Sequence, residues 1–260
     1  MDMKRHILIF DVHGCIDELD KLIHKLQLRH DDQLIFGGDL LDKGPDSLGV
    51  VRRVAQLAKY YDVTLILGNH EEKYARWLKH EERRKKTNAS NPITHKEVVK
   101  TGPLLSEEDI DFLSSAVLYH KIPELDTIVV HGGVPAWCKF LPKSPETISH
   151  MGGKQRKKYM GMCRLRYETI DGRFVMLGKQ MPTDKFWAET YDGRFGQAYF
   201  GHQPFMQDAP KKFPHAVGMD LGCAYGGNLV AAILTEDKKI KYVTVKATQV
   251  YKQMHRSLNN

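Results

Sequence analysis

The segment His6-Ile7-Leu8-Ile9-Phe10-Asp11-Val12-His13-Gly14 decides how the rest of the chain is read. Its apolar run has the length of a buried strand, and it ends in a carboxylate and an imidazole two positions apart. A helix is predicted next over Ile16 to Leu28, because Ile16, Leu19, Leu22, Ile23 and Leu26 recur at helical spacing. Gln33 to Phe36 reads as a second strand, Ser47 to Tyr61 as a second amphipathic helix, and Val63 to Leu67 as a third strand. This β-α-β-α-β order implies strands joined by right-handed crossovers. Loops at the carboxyl ends of such strands are where ligands bind.

Working outward, the same arrangement recurs. Each of Gly38-Asp39-Leu40-Leu41-Asp42, Gly68-Asn69-His70-Glu71, Val130-His131-Gly132-Gly133 and Gly201-His202-Gln203-Pro204 follows an apolar run. Any one of these is a common turn or helix cap. Five in series, each at a strand end, point instead to a shared site. Asp11, His13, Asp39, Asn69, His131 and His202 are then candidate metal ligands. Oxygen and imidazole donors without sulfur suit Mn²⁺ first, with Fe²⁺, Zn²⁺ or Ni²⁺ as alternatives. Asp39 is the natural bridge, since its two oxygens can serve two ions. Two ions roughly 3.5–4 Å apart would hold a bridging hydroxide for in-line attack on phosphorus. His70 is the candidate general acid, with Asp42 accepting its hydrogen bond. Lys43 and one or both of Arg164 and Arg166 are candidates to clamp phosphate oxygens.

A chain of 260 residues with 42% hydrophobic content can bury one sizeable core. We expect a single domain over residues 1–260, with a helical, charged insertion at about 72–118 and a basic one at about 138–160. No apolar run approaches the roughly 20 residues of a membrane span, and the N-terminus lacks a signal-peptide core. A cytoplasmic protein is therefore expected. Cys15, Cys138, Cys163 and Cys223 form no C-x-x-C pair, so buried thiols are expected rather than a zinc knuckle. The net charge is +7, concentrated in Arg83-Arg84-Lys85-Lys86 and Lys154-Gln155-Arg156-Lys157-Lys158. Such clusters attract phosphorylated or nucleic acid partners, although each also reads as a solvated face.

Farther along, Glu71 to Lys86 reads as a charged helix, and Thr87 to Thr101 as a polar excursion. Ser106-Glu107-Glu108-Asp109 has the form of a helix N-cap. Tyr119 to Ile122 and Thr127 to Val130 look like paired strands. Gln197 to Phe200, Ala216 to Leu221, Leu229 to Leu234 and Ile240 to Val245 are read as strands of a second sheet, with Gly226-Gly227-Asn228 as a hairpin turn.

Taken together these motifs resemble the calcineurin-like metallophosphoesterases, in the branch that contains phosphoprotein phosphatases. The resemblance runs from about residue 6 to about residue 235. It implies an α/β fold, a sandwich of two mixed sheets flanked by helices, with a dimetal site on loops at one edge. Arg164-Leu165-Arg166-Tyr167 and Asp220-Leu221-Gly222-Cys223-Ala224-Tyr225-Gly226-Gly227 look like bacterial and phage members. Among them are lambda-type protein phosphatases, dinucleoside tetraphosphatases and the phosphatase domain of polynucleotide kinase-phosphatase. That likeness implies a supporting place for Asp220 near the site. Two positions depart from the family pattern: Phe10 replaces a Gly and Lys43 an Arg. The expected activity is hydrolysis of phosphomonoesters, including phosphoserine and phosphothreonine. The alternative is hydrolysis of dinucleoside polyphosphates of the Ap4A type or of nucleotide 5′ ends. A phosphorylated substrate is expected in either case. A nucleic acid partner has no stacking motif to support it, and no membrane partner is expected. A non-enzymatic binding protein is disfavoured because no ligand position is lost.

Overall fold

A computed structural model describes residues 4–142 and 153–255. Strand β1 (Arg5–Ile9) leads into α1 (Ile16–Leu26), β2 (Gln33–Phe36), α2 (Ser47–Leu57) and β3 (Asp62–Leu65). The three strands are parallel, as the β-α-β-α-β reading requires. Both helices stop earlier than predicted. Gln27, in a left-handed conformation (φ 46°), ends α1, and Asp46 caps α2 by accepting from the Gly49 N–H.

Helix α3 (Asn69–Thr87) begins two residues before the predicted start, and α4 (Lys96–Thr101) and α5 (Glu107–Ser114) follow. Its entry is a capping arrangement in which Glu71 reaches back to the Gly68 N–H. The predicted polar excursion at Thr87–Thr101 is corrected here. Val98 of α4 is fully buried, and Asn91 donates to the Trp77 carbonyl. At α5, Ser106 and Asp109 form the expected reciprocal cap.

Next come β4 (Tyr119–Ile122), β5 (Thr127–Val130) and α6 (Gly153–Met160). A small sheet combines β6 (Tyr167–Glu168), β7 (Phe174–Val175) and β8 (Lys185–Phe186), and α7 (Trp187–Thr190) follows it. The chain ends in β9 (Gln197–Phe200), β10 (Lys211–Lys212), β11 (Ala216–Gly218), β12 (Asn228–Thr235) and β13 (Ile240–Lys246). Much of the predicted basic insertion at 138–160 lies outside the described residues.

Two five-stranded sheets face one another, ordered β13-β12-β1-β2-β3 and β10-β11-β9-β5-β4. One expectation fails at this level. β12 and β13 do not join β9 and β11; β12 pairs antiparallel with β1, and β13 with β12. Gly226-Gly227-Asn228 is therefore no hairpin turn within one sheet. It turns the chain between sheets, with Gly226 at φ 84° and Asn228 bridging back to Leu221.

Strand alternation explains the layers. In β1, Ile7 and Ile9 face α1 and α2, whereas Leu8 and the following Phe10 enter the space between the sheets. In β5, Val129 faces that same space, while Ile128 and Val130 pack outward with Trp187 and Phe200. The ring of Phe10, which stands where the family pattern has a Gly, lies against Gly37, where a Cβ would collide with it. All four cysteines are buried and free. Among the described residues, no helix is long and apolar enough to cross a membrane.

Candidate metal centre

The strand-end loops are held in unusual backbone conformations. Asp11, His13, Asp39, Asp42, Lys43 and His202 have φ between 49° and 70°. Non-glycine residues rarely adopt such angles, at about 1–3 kcal/mol each, and they gather at functional sites. The loops brace one another. The Asp11 N–H donates to Gly38 O at 3.1 Å, and the His13 N–H to Asp39 O at 2.9 Å. The His202 N–H donates to the Asp11 carboxylate at 3.0 Å. Glu71, not singled out from the sequence, accepts from the N–H groups of Asp39, Leu40 and Gly68 at 2.8, 2.9 and 3.1 Å. A side chain at Gly68 would strike Asp39 Oδ1, so the approach of these two loops requires that glycine.

The imidazoles are oriented from behind. His13 Nδ1 pairs with Leu41 O at 2.9 Å, and His131 Nδ1 with Gly37 O at 2.8 Å. Those carbonyls accept from a protonated Nδ1, which turns each Nε2 inward. His13 Nε2 lies 3.5 Å from Asp39 Oδ2 and 3.6 Å from Asp11 Oδ1. His131 Nε2 lies 3.4 Å from Asp39 Oδ1 and 3.2 Å from Asn69 Oδ1. His202 Nε2 is buried and has no hydrogen-bond partner among the described residues. The donor atoms fall into two groups, His13–Asp39–His70 and Asp39–His131–His202, each within 4.8 Å. Asp39 belongs to both. Converging acceptors of this kind, one of them orphaned in the interior, fit a pair of divalent cations.

Electrostatics follow from burial. Burial opposes the charge on Asp39, but His131, His70 and His13 outweigh it and hold its carboxyl well below its ordinary value. Burial would likewise lower His131, yet the Asp39 charge and hydrogen bond push it up to about 9. Glu71 is raised to about 7 by burial and by the Asp39 charge.

His70 and Asp42 form the expected pair, with Nδ1 and Oδ2 2.6 Å apart. Asp42 also accepts from Lys73 Nζ and Tyr74 OH, both at 2.7 Å, two partners not recognised in the sequence. Burial opposes its charge, but His70 and Lys73 hold the Asp42 carboxyl far below its ordinary value. Burial pushes His70 down to about 4 against the pull of Asp39 and Asp42.

A profile of the calcineurin-like phosphoesterases matches residues 7–243. The chain belongs to that family. It is a metallophosphoesterase, a hydrolase, and membership implies divalent ions, for which the Asp39-centred groups are the candidate ligands. Among its relatives is the bis(5′-nucleosyl)-tetraphosphatase PrpE [asymmetrical] of Oceanobacillus iheyensis, 29% identical over 94% of this chain and 93% of the relative. Another is the bis(5′-nucleosyl)-tetraphosphatase, symmetrical, of Erwinia tasmaniensis, 29% identical over 90% of this chain and 94% of the relative. The fold matches a crystal structure provisionally described as a diadenosine tetraphosphatase, with TM-score 0.66, 24% identity and coverage of 92% and 93%. It also matches a protein serine/threonine phosphatase of Saccharomyces cerevisiae, with TM-score 0.54, 16% identity and coverage of 94% and 80%.

In this phosphoesterase the basic residues divide. Lys43 Nζ donates to His13 Nε2 at 2.5 Å and lies 5.1 Å from the centroid of the Tyr225 ring, so a metal ion on that nitrogen would have to displace the ammonium. Arg166 donates to His202 O at 2.5 Å and to Gln203 Oε1 at 2.9 Å, beside the centre. Arg164 instead pairs with Glu72 of α3. Asp220 is buried, with one oxygen accepting from the Gly222 N–H and the other unpartnered among the described residues. Burial and the nearby Asp11 charge raise its carboxyl to about 7.

Proposed function

We propose that this phosphoesterase hydrolyses dinucleoside polyphosphates of the Ap4A type. The reading is carried by one observation: relatives named bis(5′-nucleosyl)-tetraphosphatases align over nine-tenths of the chain. This reverses the order expected from the sequence, in which phosphomonoesters came first. The fold likeness to a serine/threonine phosphatase, at 16% identity, supports no choice of substrate.

Asp11, His13 and Asp39 would hold one ion, and Asp39, Asn69, His131 and His202 the other. When bound, such ions neutralise phosphoryl charge and lower the pKa of water. Mn²⁺ is the ion we propose. Lys43 and Arg166 bind and orient phosphoryl oxygens beside Asp220. Asp42 holds the Nδ1–H of His70 and turns its Nε2, 3.7 Å from Asp39 Oδ2, toward the centre; a proton taken up on Nε2 from the attacking water would then pass to the leaving oxygen. A phosphate leaving group needs that proton less than an alkoxide does. Residues 1–260 act as one catalytic unit, with segments 72–118 and 138–160 as its insertions.

The test is product analysis with metal-stripped protein resupplied with Mn²⁺, given Ap4A and a phosphopeptide side by side. Nucleotide products from Ap4A with the peptide untouched are expected. Phosphate from the peptide alone would overturn the proposal.

A further inference from the structure

Beside the metal centre lies a cleft of about 390 Å³, whose walls include Glu72, Pro135, Trp137, Met160, Arg164 and Phe174. That volume is in the range of small-molecule sites, roughly 300–1,000 Å³. The walls continue the segments that build the centre. Glu72 stands three residues after Asn69 on α3, and Pro135 four residues after His131. The N–H groups of Gly132 and Gly133 both donate to Met162 O at 3.0 Å, which ties the His131 loop to the segment that carries Arg164. Arg166, two residues on, holds the His202 carbonyl.

We propose that the cleft between Trp137 and Arg164 seats the nucleobase of a nucleotide whose phosphate chain lies on the Asp39 centre. This rests on the nucleotide reading above. Trp137 is half-buried, with Tyr159 edge-on to it, the ring centroids 5.6 Å apart. Lys158 Nζ sits 4.1 Å from the indole centroid and covers one ring face, so a base in the cleft that Trp137 lines would stack on the other face or displace the ammonium. Arg164 is anchored by Glu72, which Arg76 holds in turn at 2.8 Å. Phe174 adds an exposed aromatic wall. Indole faces and planar guanidinium groups are the surfaces on which nucleobases stack. Lys158 and Arg164 supply positive charge where the sugar-phosphate enters. The sequence showed no stacking motif because Trp137, Arg164 and Phe174 come from separate segments.

The experiment compares kcat/KM for Ap4A and for p-nitrophenyl phosphate in the wild type, Trp137→Ala and Trp137→Phe, alongside ADP titrations read by tryptophan fluorescence. Trp77 and Trp187 are 7% and 1% exposed, so quenching by ADP reports on Trp137. Base stacking predicts that Trp137→Ala lowers the Ap4A-to-aryl-phosphate ratio roughly 5- to 150-fold, mainly through KM. Trp137→Phe should restore most of the ratio while losing the quenching. If wild type cleaves Ap4A and a folded Trp137→Ala variant keeps the same ratio, the cleft assignment fails and the nucleotide reading stands. If wild type ignores Ap4A but ADP quenches Trp137, the nucleotidase reading fails and the cleft holds. Absence of ADP quenching in the wild type would also overturn the assignment.

Discussion

Asn69 Oδ1 and His131 Nε2 face each other at 3.2 Å although His131 Nδ1 is already committed to the Gly37 carbonyl. Asp39 favours a proton on that Nε2, which Asn69 Oδ1 then accepts, and a divalent cation between the two atoms would take the proton's place. Chelation should therefore abolish hydrolysis, and resupply of Mn²⁺ should restore it. Ligand linkage at a hundredfold excess over Kd contributes about 2.7 kcal/mol. That corresponds to a Tm rise of roughly 5–10 °C for a chain this size. Asn69→Ala should reduce the bound metal measured by elemental analysis. Unchanged Tm and full activity in excess chelator would contradict the assignment.

His70 should matter according to the leaving group. Removing a positioned acid typically costs 10²–10⁴-fold. We expect His70→Ala to show losses of about that size on alkyl phosphates and much smaller ones on Ap4A or p-nitrophenyl phosphate, whose leaving groups are weak bases. Asp42→Asn should follow the same pattern, because Asp42 holds the His70 ring at 2.6 Å. Equal losses on all substrates, measured as kcat, would remove the proton-transfer role.

Glu71 touches no substrate in this reading, yet its carboxylate gathers three N–H groups from two ligand loops. Glu71→Gln turns one acceptor into a donor aimed at a donor. An unsatisfied buried group costs about 1–3 kcal/mol. The urea midpoint should fall accordingly and metal affinity should drop with it. A variant with wild-type midpoint and metal content would show that the loops are braced elsewhere.

The parts of this molecule legible in its sequence are those where neighbours along the chain do the work. The alternation of β1 and the ligands just beyond it are local, so Asp11, His13, Asp39, Asn69, His131 and His202 could be picked out together. Sheet membership was not local. β12 reads equally well beside β11 or β1, and only long-range pairing such as Ile7 with Ile233 decides it. Thr87–Thr101 looked polar because a single buried residue, Val98, anchors α4. Arg164 and Arg166 were indistinguishable on paper. Arg164 turns to Glu72, 92 positions away, and Arg166 to His202, 36 positions away.

Glu18 supplies a pH test away from the centre. It is buried on α1 and accepts from the Thr248 N–H at 2.9 Å and from Thr248 Oγ1 and Tyr251 OH at 3.0 Å. Burial raises its pKa, but those hydrogen bonds prevail and lower it from 4.5. A carboxyl depressed in the folded state stabilises fully above its unfolded pKa, and that contribution disappears as pH falls through the folded value. The wild type should exceed Glu18→Gln in urea midpoint at pH 7, and the gap should begin to close below about pH 4.5. A gap independent of pH would assign the effect to packing.

Arg166 and Arg164 should separate kinetically. Arg166 lies against His202 and Gln203 at the centre, so Arg166→Ala should weaken every phosphate ester alike. Loss of a charge-assisted hydrogen bond costs about 1.5–3 kcal/mol, a fall in kcat/KM of roughly 10- to 150-fold. Arg166→Lys keeps the charge but not the fork and should recover only part of it. Arg164→Ala should act on nucleotide substrates and far less on p-nitrophenyl phosphate, since its guanidinium is turned to Glu72. Parallel kinetics for the two alanine variants on both substrates would mean that both arginines contact phosphate, and the division drawn from their partners would be wrong.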